Sequence, residues 1–132
     1  MLFGSHIARC ILLLFALHSS QALATDWVEM HDFGEAKFFL RAPTPIFTGK
    51  PIRIWSMTSF RDDQMSGNSV WRSKVTLEEY DCESENVSAK YVTFYPEAMA
   101  KGKPVYEMPQ DKHSPVQPGS FGRVLFEIVC KR

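Results

Sequence analysis

Once its first 24 positions are set aside, the chain has few residues that could do chemistry: His31, His113, Cys82, Cys130 and an acidic run from Glu78 to Glu85. His31 lies in "WVEMHDF" beside Glu29 and Asp32. Three such ligands on one face would suit a divalent metal. On a regular strand, however, Glu29 and His31 share a face and Asp32 points away. The segment therefore reads as structural. His113 lies in "DKHSP", which reads as a loop. No serine or cysteine motif supplies a nucleophile with its base. No catalytic residue, metal site or cofactor is expected. A periplasmic enzyme or metal-binding protein using His31 or His113 is the rival reading, and a structural accessory protein with no ligand of its own is a third.

Glu78, Glu79, Asp81, Glu83 and Glu85 could attract a cation or a basic partner, but they read as the solvated end of a hairpin. Asn86, Val87 and Ser88 match a glycosylation acceptor pattern, which is short enough to recur by chance. Trp55, Trp71, Tyr91 and Tyr95 could stack a ligand. Their alternating spacing reads as core.

The first 24 residues have the three parts of a secretory signal. Arg9 and His6 give a weak positive start, residues 10–17 ("CILLLFAL") an apolar run, and Ala22 and Ala24 the small residues of a cleavage site. Cleavage is expected after Ala24. A membrane span needs about 20 apolar residues, more than this run supplies. Cys10 stands at the start of the apolar run rather than just after it, which is the wrong side for lipid attachment.

Cleavage would leave 108 of the 132 residues, one domain's worth, with 14 basic and 15 acidic side chains. A net charge of −1 gives no field to hold nucleic acid. No further stretch is long enough to span a membrane. The mature chain is expected to be soluble, and a protein partner of open identity is expected. Of three cysteines, Cys82 and Cys130 survive cleavage. In an oxidising compartment two cysteines pair, and with no CxxC spacing or neighbouring histidine a disulfide is expected. A catalytic or metal-binding pair is the alternative.

These residues need elements to place them. Residues 27–33, 37–41, 52–60, 71–82, 88–95 and 104–108 read as strands, rich in β-branched and aromatic residues. Val75 and Leu77 alternate in one phase and Tyr80 and Cys82 in the other, so a β-bulge is expected near Glu78 and Glu79. "APTPIFTGKP", "RDDQMSGNS" and "PQDKHSPVQPG" read as loops, the second a mobile one. At the C-terminus the period changes. Phe121, Val124, Leu125, Ile128 and Val129 form a helical stripe, with Ser120 as N-cap. Val124, Leu125 and Ile128 are expected against the strand face that carries Val75 and Leu77. The fold class is α+β: a small antiparallel sheet of about six strands with a C-terminal helix on one face and one disulfide.

Several segments resemble the surface-adhesin protein E family. They are "WRSKVTLEEYDC", "AKYVTFYPEAMAKGKPVYEM", "VQPGSFGRVLFEIVC" and the opening "DWVEM…AKFFLRAP…GKPIRIW". The likeness covers residues 25–132, nearly the whole mature chain. It implies a disulfide-stapled sheet with a helix, exported by a Gram-negative bacterium, in the periplasm, secreted or displayed on the surface. In the best-known branch such proteins are outer-membrane lipoproteins that bind host matrix and plasma proteins. This chain lacks a well-placed lipid-attachment cysteine, and the resemblance assigns it no binding residues.

Overall fold

Alternating apolar and polar residues lay down six strands, and a change of period adds the helix. The computed structural model describes residues 27–42 and 51–131. The strands are β1 Trp27–Asp32, β2 Ala36–Arg41, β3 Ile52–Ser66, β4 Ser69–Asp81, β5 Asn86–Tyr95 and β6 Tyr106–Pro115. Helix α1 spans Phe121–Cys130. The strands form one antiparallel sheet in the order β1-β2-β3-β4-β5-β6. The α+β architecture expected from the sequence is the one observed. The expected signal segment and most of the proline-rich loop after β2 lie outside the described residues. Among the described residues no helix is long and apolar enough to cross a membrane.

The sheet buries both of its faces. On one face Leu40, Ile54 and Tyr80 pack against Leu125, Phe126 and Val129 of α1. On the other lie Phe39 and its partner Met57. There a short 3-10 turn, Ala98–Ala100, is held down by buried serines. Ser73 donates its hydroxyl to the Glu97 carbonyl and accepts from the Ala100 N–H, while Ser59 accepts from the Met99 N–H. This two-sided cover accounts for the two phases of β4. Trp71 and Ser73 are buried near its start, Thr76 and Tyr80 further along. No slip within β4 is needed. The register does shift between Leu77 and Glu78, but the extra residue is Lys90, on β5.

Two expected loops are strands. β3 and β4 continue into "RDDQMSGNS" as a hairpin, with Ser66 opposite Ser69 and a two-residue Gly67-Asn68 turn. Gly67 has φ of +60°, a conformation glycine adopts at little cost. Polar residues suit this ladder because the strand ends project beyond the core. "PQDKHSP" is likewise part of β6, despite Pro109 and Pro115. β6 is an edge strand and pairs on one side only, so a missing N–H on the other is tolerated.

The helix also differs in rotation. Ser120 caps α1 by accepting from the Arg123 N–H at 3.1 Å. The buried residues are Leu125, Phe126 and Val129, whereas Val124 is 51% exposed and Ile128 47%. The packed face is the one bearing Leu40, Ile54 and Tyr80, opposite to that of Val75. Phe126 is the reason. A large ring one position beyond Leu125 turns the helix so that 121, 125, 126 and 129 point inward.

Candidate functional site

β1 separates the residues that could have formed a metal cluster. Glu29 pairs with Phe39 and His31 with Phe38, so Met30 is an extra residue. One extra residue reverses which side chains face which way. Glu29 and Asp32 therefore share a face, where Lys37 reaches them at 2.9 and 3.7 Å. His31 turns to the helix face, with its ring 4.5 Å from Phe33 and 5.1 Å from Phe121. The sequence reading had placed Glu29 with His31, since regular alternation carries no sign of a bulge.

His113 lies on β6, not in a loop. Its Nδ1 is 2.6 Å from the Ser88 hydroxyl and its Nε2 3.2 Å from Asp111. Serine, histidine and aspartate in series are the parts of a hydrolytic triad. Here they lie beside a cleft lined by Glu79, Asp81 and Glu83. Those carboxylates would oppose the negative charge that builds on oxygen during acyl transfer. Asp111 is also shared with Lys90, at 3.3 Å. Among the described residues no group of three or more His, Cys, Asp or Glu side chains is placed to hold a metal ion.

The acidic run is divided by strand alternation. Glu79 pairs with Arg53 at 2.9 Å and lies 3.7 Å from Lys90. Asp81 accepts from the backbone N–H groups of Glu83 and Ser84 and so shapes the β4–β5 turn. Glu85 takes both guanidinium nitrogens of Arg123, at 3.2 and 3.3 Å, tying that turn to α1. Asn86 turns its amide onto Ser84. Cys82 and Cys130 are joined in a disulfide with Cα atoms 5.8 Å apart.

The aromatic residues also divide. Trp71 is buried, edge-on to Phe60 and Phe94. Tyr91 donates to Glu107 at 2.7 Å. Trp55 and Tyr95 are not core; with Trp27, Arg41 and Met99 they line a shallow cleft of about 280 Å³.

Glu78 belongs to the run that reads as solvated in sequence, yet the structure turns it into an apolar wall. A cleft of about 410 Å³ opens between the start of α1 and the sheet, walled by Phe33, Phe38, Phe121, Leu125 and Val87. Glu78 lines it, with Tyr80 donating to its Oε2 at 2.9 Å. Burial pushes the Glu78 carboxyl above the ordinary glutamate value, against hydrogen bonds from Tyr80 and Ser56 and the field of Lys74. Burial, and then Glu78 itself, raise the Tyr80 hydroxyl. The pair is thus a carboxyl and a phenol in an apolar wall, both pushed toward their neutral forms.

This arrangement has a measurable consequence. A raised carboxyl pKa means that the folded chain holds its proton more tightly than the unfolded chain. Glu78 then costs no stability below its ordinary value of 4.5, and the cost grows as pH rises past it. Glu78→Gln should raise the melting temperature at pH 7, and the gain should fade near pH 4. An equal shift at both pH values would show that ionisation of Glu78 is not the cause.

The family model for "Surface-adhesin protein E" matches residues 27–131. A search of curated proteins finds no match. Among solved structures, crystal form II of Haemophilus influenzae protein E is similar, with a TM-score of 0.64 at 10% sequence identity. That likeness covers 81% of this chain and 88% of the other, and at such identity it speaks to the fold alone. Sheet, helix and disulfide accompany a family match that runs through all six strands and α1, and the chain belongs to the surface-adhesin protein E family.

Proposed function

We propose that the protein is an exported, non-enzymatic binding module that contacts host matrix or plasma proteins. The observation that carries this reading is family membership across residues 27–131. A signal segment cleaved after Ala24 would deliver the domain to the periplasm, the medium or the cell surface. The disulfide supports an oxidising destination. The mature chain, from Thr25 onward, should bind at least one immobilised matrix or plasma protein saturably. Absence of saturable binding across a panel of both would overturn the reading. Mass measurement of the exported protein checks cleavage after Ala24.

The contact of Ser88 with His113 favours one second reading, a periplasmic hydrolase. A fluorophosphonate probe separates the two. A binding module leaves Ser88 unlabelled, whereas a hydrolase would be labelled there and would lose the label on His113→Ala.

A further inference from the structure

The cleft under α1 combines an apolar wall with a buried carboxyl. Its walls are aromatic and aliphatic: Phe33, Phe38, Phe121, Val87 and Leu125. Phe121 stands edge-on to Phe33 at 5.0 Å and to Phe38 at 5.4 Å, so the rings form a connected corner. Into this apolar space one carboxyl is set, that of Glu78. A carboxylate accepts about four hydrogen bonds. Tyr80 and Ser56 supply donors to Glu78, and Lys74 acts on it only through its field, the weakest influence on the group. Among the described residues no cation makes an ion pair with it. Burying a carboxyl without a cationic partner is costly unless something offsets it.

We propose that this cleft binds a small amphipathic amine, with its ammonium group on the Glu78 carboxylate and its apolar body against Phe33, Phe38 and Phe121. Charge complementarity selects the head group. An ammonium donates to the carboxylate's free acceptor positions and restores the cation the site lacks. The rings select the body, since aromatic faces attract a cation as well as apolar surface. The volume of about 410 Å³ is in the range of small-molecule pockets.

The test uses three probes of one shape: 2-phenylethylamine, 2-phenylethanol and phenylacetate. Each is titrated into the mature chain at pH 7.5 and followed by calorimetry and by backbone amide shifts. The amine should bind saturably, about tenfold or more tighter than the alcohol, as one charge-assisted hydrogen bond implies. Phenylacetate should not bind. Shifts should centre on Thr58, Ser120 and Gly122, which line the cleft. Glu78→Gln should bring the amine down to the affinity of the alcohol. If that variant does not fold, the alcohol-to-amine ratio on the wild type and the location of the shifts decide alone. Equal affinity for amine and alcohol would overturn the proposal, as would shifts centred on Trp55 and Tyr95. Binding of a lysine peptide without binding of the free amine would also overturn it and assign the cleft to a protein partner.

Discussion

Replacing both Cys82 and Cys130 by alanine should destabilise the fold by about 4 kcal/mol. The bond links residues 48 apart in sequence. Cross-linking a loop of that length removes chain entropy from the unfolded state worth about 4 kcal/mol. Domains of this size are stable by about 5–15 kcal/mol, so the loss would consume much of the margin. Both residues also pack on the edge of the core cluster, which adds to the effect. Denaturant titration of the oxidised wild type against the double variant measures it. A difference below about 1 kcal/mol would mean that the helix and sheet hold together without the bond.

Phe126→Ala should cost about 3–5 kcal/mol, the range for deleting a buried ring. Phe126 is 0% exposed and lies among Leu40, Ile54, Tyr80 and Leu125. Its ring centroid is 6.3 Å from that of Tyr80, and the Arg123 guanidinium lies over it at 5.6 Å. Alanine would leave a cavity among these core side chains. Val124 provides the contrast. It is half-exposed on the outer side of the same helix, so Val124→Ala should change stability by less than about 0.5 kcal/mol. Reversal of that order in thermal or chemical unfolding would mean that α1 is turned the other way.

That contrast marks where sequence patterning stops being informative. The existence of α1 is visible in its period and in Ser120, but its rotation is not. Val124, Leu125, Phe126, Ile128 and Val129 admit two stripes, and only the volume of Phe126 against a specific sheet face selects one. The same holds along β4. Its two phases read as a slip on any sheet covered on one side only. The serines that pin the 3-10 turn to the second face, Ser59 and Ser73, look like surface residues in sequence. Polar hairpin ends and an edge strand bearing prolines read as loops because turn residues and exposed ladders share a composition. Cys82 and Cys130 were legible because compartment and count left a single pairing. Glu78 was hidden by its neighbours. An acidic run suggests solvent, yet alternation sends Glu79 to Arg53 and Glu78 into an apolar wall.

The strand order has a consequence for how the chain acquires its structure. Every strand pairs with its neighbour in sequence, and the pairing runs from first to last without a crossover. In such a sheet no strand must wait for a partner that lies beyond its neighbour in the chain. A chain emerging N-terminus first can add each strand to an edge already formed. The segment that closes the core, α1 with Cys130, comes after all six strands. Until it arrives, the face bearing Leu40, Ile54 and Tyr80 is uncovered. The vulnerable species on the way to the native state is therefore an open six-stranded sheet with one naked face, and a truncation that removes Phe121–Cys130 would make that species permanent.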